Sequence, residues 1–166
     1  MDFFEAIESR RSVRRYLSQP VPRDVLTRIV HAGAEAPSGC NAHLRHFIVV
    51  DDAGVMNVLR GLNQAFDGAP AAIVVAVEPV GAGRGEYWVQ DASAAMQSML
   101  LAATALGYAG CWIEGNRANW EQPVRELLKV PGRLRPWAMT PIGKPAAPAP
   151  RPPKPGAAAI THFNTW

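Results

Sequence analysis

Residues 87–106 read YWVQDASAAMQSMLLAATAL, and this stretch decides the fold. Ala92, Ala95, Met96, Met99, Leu100, Ala103 and Leu106 recur at helical spacing. Ala94, Leu101 and Ala105 carry apolar surface round to the other sides. A helix apolar nearly all round is buried, and its alanines let neighbouring helices approach closely. The chain has 166 residues, about one domain's worth. A domain of that size hides roughly 68–70% of its unfolded surface. A helix covered on all sides in so small a body predicts that a second subunit covers part of it. Gly107 ends the helix.

Working outward, Ala71–Val77 is an apolar run of strand length, as is Phe47–Val50. Between them Val55, Val58, Leu59 and Leu62 predict a helix capped by Asp51 or Asp52. Upstream, residues 2–11 read as a helix with Phe3, Phe4 and Ile7 on one side. A second helix follows Pro22, carries Leu26, Ile29, Val30 and Gly33, and stops at Pro37-Ser38-Gly39. Downstream, Ala109–Ile113 reads as a strand leading into Glu114-Gly115. Asn119 stands where it could cap a helix bearing Val124, Leu127 and Leu128, with Gln122 in the reciprocal capping place. Trp137–Ile142 is a last strand. The order is that of an α+β or mixed α/β sandwich.

From Gly143 the composition changes. Seven of the fifteen residues 141–155 are proline, which excludes continued helix and predicts an extended arm. Ile160, His162, Phe163 and Trp166 near its end read as anchors on a surface, its own or a partner's. The chain is therefore divided into residues 1–143 and an arm, 144–166.

Several function classes fall away. Fourteen Arg and three Lys against fourteen acids give a net charge of +3, too dispersed to argue for nucleic acid. Cys40 and Cys111 make no disulfide framework or thiolate metal cluster. Cys40, His43 and His46 lack the further ligands of a zinc site. Gly81–Gly85 looks like a dinucleotide loop but follows Glu78-Pro79 instead of linking a strand directly to a helix. Ser38 has no Gly-x-Ser-x-Gly elbow. No apolar run is long enough to span a membrane, and the amino terminus lacks the order of a signal peptide. These readings predict a cytoplasmic protein with no metal, no nucleic acid and no membrane partner.

Four segments carry chemistry when taken together. Arg10-Arg11-Ser12-Val13-Arg14 places guanidinium forks beside a hydroxyl, a donor set suited to a phosphate monoester. Ala36-Pro37-Ser38-Gly39-Cys40-Asn41 is a polar turn with a side-chain amide. Gly110–Gly115 ends an apolar run in a glycine turn that can offer backbone N–H groups. Ile142-Gly143-Lys144-Pro145, with Arg151 and Lys154 beyond, again suits phosphate.

In these segments, in Gln90–Gln97, in Leu106-Gly107-Tyr108 and in the terminal Trp166, the chain resembles the nitroreductase family of flavoproteins over nearly its whole length. The resemblance implies a mixed β-sheet flanked by helices and an intertwined homodimer. Two FMN molecules would lie at the subunit interface. Arg10, Arg11 and Ser12 would take the FMN phosphate, and Arg14 would stand near the ribityl chain and ring O2. The turn holding Ser38, Gly39 and Asn41 would approach from the other subunit. The backbone of Glu114 and Gly115 would meet flavin N5 and O4. Arg151 or Lys154 would close over the phosphate. The implied activity is ping-pong hydride transfer from NADH or NADPH through flavin N5 to nitroaromatics, quinones or similar small acceptors. No side chain would need to act as acid, base or nucleophile. Another reaction on the same scaffold (oxidation of a small molecule, flavin cleavage or dehalogenation) and a non-catalytic FMN-binding dimer are the alternatives. Only about 20 residues part the first two strands, leaving little room for the helical excursion that roofs the substrate pocket in longer members.

Overall fold

The computed structural model describes residues 1–79, 87–114 and 119–166. The loop expected at Gly81–Gly85 lies outside them. Five helices, α1 (Phe3–Ser9), α2 (Arg23–Ala34), α3 (Ala53–Leu62), α4 (Trp88–Ala105) and α5 (Glu121–Leu127), surround four strands, β1 (Arg45–Val50), β2 (Ala71–Val77), β3 (Ile113–Glu114) and β4 (Arg135–Ile142). The sheet order is β1-β2-β4-β3, and every paired strand is antiparallel. The class is the α+β one expected. The mixed character expected of the sheet is confined to isolated parallel bridges, Ser12 to Gly110 and Arg15 to Asp67.

β2 explains the architecture. All seven of its residues are buried, so it has core on both faces. Ile73, Val75 and Val77 pack with Leu26 and Ile29 of α2 and with Met96, Met99 and Ala103 of α4. Ala72 and Val74 face Met56 and Leu59 of α3, Phe66, and Trp120 and Val124 at α5. A strand covered twice reads as an unbroken apolar run even in an antiparallel sheet, where alternation is more usual. On α4, Ala92, Ala95 and Ala103 are completely buried and keep the helix close to its neighbours. Gly33 serves the same contact from α2, since a Cβ there would stand 2.7 Å from Met99 Cγ.

The caps show local choices. Asp2 and Glu5 form a reciprocal capping box on α1. Asp52 caps α3 by accepting from Val55 N, while Asp51 is forked to Arg23 at 2.6 and 3.0 Å. Gly107, at φ +79°, closes α4 in the left-handed conformation that glycine adopts freely.

Two expectations are corrected. Ala109–Ile113 is not a continuous strand: Ala109 and Gly110 make single bridges to Gly143 and Ser12, and regular pairing begins only at Ile113. Gly110 divides its contacts between two segments and cannot serve one ladder. Asn119 does not cap α5. Trp120 stands at the cap without a side-chain bond there, and Gln122 instead bonds Glu126 at 2.7 Å. Burial of the Trp120 indole, whose Nε1 donates to Glu114 O at 3.1 Å, sets the start of that helix. On α1, Phe3, Phe4 and Ile7 do share a side, but it is exposed in the single chain, and only Ala6 is buried.

The arm leaves β4 at buried Gly143. It first runs beside the segment after α1, with Leu17 N bonded to Lys144 O and Ala146 N to Arg15 O. Beyond Ala149 every residue is exposed. Phe163 and Trp166 bury little on their own chain, at 84% and 100% exposure, the Trp166 ring stacking only on His162 beside it.

Candidate functional site

The segment after α1 is irregular, with two buried anchors three residues apart. Val13 and Tyr16 point into the core, which leaves Ser12, Arg14 and Arg15 on the surface. Its backbone is pinned along its length: Val13 N to Gly110 O at 3.1 Å, Tyr16 N to Asp67 O at 3.0 Å and Leu17 N to Lys144 O at 2.9 Å. The Tyr16 hydroxyl donates to Val13 O. The basic side chains therefore stand on a fixed rail.

The two ends of the chain meet over that rail. Arg11, Arg151 and Lys154 line one cleft of about 470 Å³ together with Glu8 of α1. A second, of about 280 Å³, lies between Ser12, Arg14 and Arg15 on one side and Ala147–Pro150 on the other. Arg11 also faces a cleft of about 500 Å³ bounded by Thr104, Tyr108 and Pro145. Its Nη1 donates to Arg10 O at 2.6 Å. Both Arg151 and Lys154 line that cleft. Arg10 caps α1 and lines none of these three.

The largest of the clefts described, about 620 Å³, adds residues that the sequence reading passed over. Arg14 and Arg15 face Arg60, Asn63 and Gln64 across it. Arg60 is held by a bond from Nη2 to Ala69 O at 2.9 Å, and the Asn63 side chain accepts from Ala65 N at 2.8 Å. The signal was a polar pair, Asn63-Gln64, directly after an apolar helix and before an apolar strand. Under the rail, burial pushes the Tyr16 hydroxyl well above its ordinary pKa, with a further push from Cys111. Burial likewise raises the Cys111 thiol, against the opposing pull of Arg14. Both stay protonated at neutral pH. Among the described residues no group of three or more His, Cys, Asp and Glu is placed to hold a metal. No described helix is long and apolar enough to cross a membrane.

Ser38, Gly39 and Asn41 lie apart from these clefts, at the start of α4. Gly39 N donates to Asp91 Oδ1 at 2.7 Å, and a Cβ on Gly39 would meet the Tyr87 ring at 2.7 Å. Cys40, Asn41 and His43 all have left-handed backbone, φ 52°, 55° and 52°. Asn41 is exposed. Arg45 and Asp91, both buried, brace this turn, and neither was picked out for that role from sequence. Glu114 ends β3, exposed, with its carbonyl held by Trp120. Gly115 lies outside the described residues.

The chemistry of the donor set fits FMN. Arg11, Arg151 and Lys154 give three cations for one phosphate, and Arg14 and Arg15, further along the rail, share a separate cleft with the Arg60 guanidinium and two side-chain amides.

The family model described as "Nitroreductase family" matches residues 7–59 and 55–144. A protein of Methanothermobacter thermautotrophicus, named "Putative NADH dehydrogenase/NAD(P)H nitroreductase", is 32% identical over 158 residues, covering 88% of this chain and 78% of its own. A crystal structure from Bacteroides thetaiotaomicron under the same name superposes with a TM-score of 0.87 at 28% identity, over 99% of this chain and 98% of that one. An FMN-dependent nitroreductase of Clostridium difficile superposes with a TM-score of 0.83 at 27% identity, over 98% and 99%. A basic rail closed by a basic arm, on a fold shared with these proteins over its whole length, leads to one conclusion: this chain belongs to the nitroreductase family and is an oxidoreductase.

Proposed function

We propose that the protein is an FMN-dependent NAD(P)H oxidoreductase that works as a homodimer by a ping-pong cycle. The observation that carries this reading is the meeting of Arg11 with Arg151 and Lys154, drawn from opposite ends of the chain into one cleft beside Ser12 and Arg14. Arg11, Arg151 and Lys154 hold the FMN phosphate, with Arg10 adding positive charge at the end of α1 and Ser12 a hydroxyl donor. Arg14, with Arg15 and Arg60 near it, stabilises negative charge at the pyrimidine end of the ring. Asn63 and Gln64 offer side-chain amides to the same end. The turn of Ser38, Gly39 and Asn41 reaches the FMN of the partner subunit, which accords with its distance from its own chain's basic clefts. The backbone of Glu114 and Gly115 orients the reacting edge, with Trp120 holding the Glu114 carbonyl. When bound, FMN would supply the redox chemistry that carries reducing equivalents from NADH or NADPH to a nitroaromatic, quinone or similar small acceptor.

Dimerisation is supported by what the single chain leaves uncovered. Phe3, Phe4 and Ile7 of α1, and Ile160, Phe163 and Trp166 of the arm, are large apolar side chains in solvent. The arm orders about twenty residues at an entropic cost that its own-chain contacts do not meet.

The phosphate assignment is tested by Arg11→Ala. Loss of one charge-assisted contact costs about 1.5–3 kcal/mol, roughly 10- to 150-fold in affinity. FMN binding should fall by that factor while riboflavin, which has no phosphate, loses little. An equal loss for both ligands removes the phosphate from this cleft.

A further inference from the structure

We infer that Arg45 is a positioning residue, whose buried guanidinium holds the Ser38–His43 turn preformed so that Asn41 is presented to the partner's FMN. The inference rests on the reading of Asn41 proposed above.

Arg45 opens β1 and is only 9% exposed. Its fork grips three carbonyl oxygens: Nη2 to Ala36 O at 2.7 Å, Nη1 to Pro37 O at 2.9 Å and Nη1 to Asp91 O at 3.2 Å. The first two lie where the chain enters the turn, and the third is on the first turn of α4. Arg45 itself follows the exit of the turn by two residues. Asp91, 5% exposed, completes the brace, since its carboxylate accepts the Gly39 N–H from the middle of the turn. Entry, middle and exit are thus tied to one end of one helix.

The turn needs such a brace. Cys40, Asn41 and His43 are all non-glycine residues at positive φ. Each costs conformational free energy that persists only where the surroundings over-determine the backbone. Asparagine accepts this conformation more readily than Cys. Apart from the bond of Ser38 Oγ to His43 N at 3.3 Å and two short backbone bonds, the turn has little internal support. Burying a guanidinium is itself unfavourable unless its donors are used, and packing alone would favour an apolar side chain. Every donor contact of Arg45 goes to the turn or to the helix that anchors it. Its charge therefore serves the shape of an exposed, polar loop that contributes nothing to the core. Unbraced, that loop would have to be ordered each time FMN binds, which lowers apparent affinity by the fraction of time the competent shape is absent.

The test uses the FMN-loaded full chain with Arg45→Met, which keeps length and removes every donor, Asn41→Ala, and the double variant. Arg45→Lys is the fallback if Met fails to fold, since it keeps the charge but cannot span all three carbonyls. Hydrogen exchange reads the brace, and the FMN dissociation constant and midpoint potential read its effect. Arg45→Met should speed exchange at the Gly39 amide at least about tenfold and weaken FMN about tenfold. Asn41→Ala should add nothing further in the Arg45→Met background, because a side chain no longer presented cannot be lost twice. Unchanged exchange at Gly39 overturns the brace. Faster exchange with fully additive losses in FMN affinity shows that Arg45 acts on stability alone and overturns positioning of Asn41. If Asn41→Ala by itself leaves affinity and potential unchanged while Arg45→Met speeds exchange, the brace stands and the Asn41 reading fails.

Discussion

Gly110→Ala should damage the fold and the cofactor site together. Gly110 sits where β4 crosses the segment after α4. A Cβ there would fall on Thr140 Oγ1, 2.8 Å from Pro141 O and 3.0 Å from Leu100 Cδ2. None of these can swing away. Thr140 is completely buried with its hydroxyl bonded to Pro141 O at 3.1 Å, Pro141 O is backbone, and Leu100 is 3% exposed. The chain around Gly110 must move by several tenths of an ångström, and forcing one extra methyl into a filled core costs about 1–3 kcal/mol. The displacement passes to the basic rail, because Gly110 O accepts the Val13 N–H at 3.1 Å and Ser12 bridges to Gly110. The expected result is a loss of about 2 kcal/mol in urea unfolding at fixed protein concentration, with FMN binding weakened about tenfold. Thr140→Ala in the same chain removes the closest contact and should recover part of both losses, a coupling that residues in direct contact show. A Gly110→Ala protein within about 0.5 kcal/mol of wild type, with unchanged FMN affinity, would mean that the core around Gly110 yields to a methyl group.

Two further outcomes follow from the same structure. A chain cut after Pro145 keeps its sheet and helices but loses Arg151, Lys154 and the exposed aromatics of the arm. Sedimentation should show weaker dimerisation and an FMN affinity lowered well beyond that of Arg11→Ala, and unchanged values for both remove the arm from the site. On the alkaline side the pH dependence of stability follows from Tyr16 and Cys111, whose folded pKa values lie above the ordinary 10.0 and 9.0. Their contribution is complete below about pH 9 and is lost as pH rises, because the unfolded chain releases those protons first. The urea midpoint should fall above about pH 9, less steeply in Cys111→Ala, and a flat profile in wild type contradicts the buried pair.

What could be read from sequence was whatever a single segment declares about itself. β2 is apolar at every position because it has core on both faces, and α4 because alanines and methionines meet α2 on one side and the sheet on another. The basic rail was legible as a cluster of donors, and the arm as a run of prolines. What escaped depends on partners distant in the chain. Asn119 had the chemistry of a cap, but burial of Trp120 and its bond to Glu114 O chose a different helix start. The run 109–113 had the pattern of a strand, yet Gly110 bonds toward Ser12 as well as lying beneath β4, so it could not continue one ladder. Arg45 lies two residues before the apolar run Phe47–Val50 and carries no local signal of its own. Its role depends on carbonyls nine residues before it and forty-six after it. Arg60, Asn63 and Gln64 gained meaning only when the fold set them opposite Arg14 and Arg15.

The central claim, that this fold uses FMN to oxidise a nicotinamide, is tested most directly by the visible spectrum of the purified protein, followed anaerobically as NADH and then NADPH are added. Expected is a yellow protein with about one FMN per chain, whose flavin absorbance bleaches with at least one of the two nucleotides and returns when a quinone or nitroaromatic is supplied. A protein that neither carries nor takes up FMN, or whose bound FMN stays oxidised with both nucleotides, contradicts it.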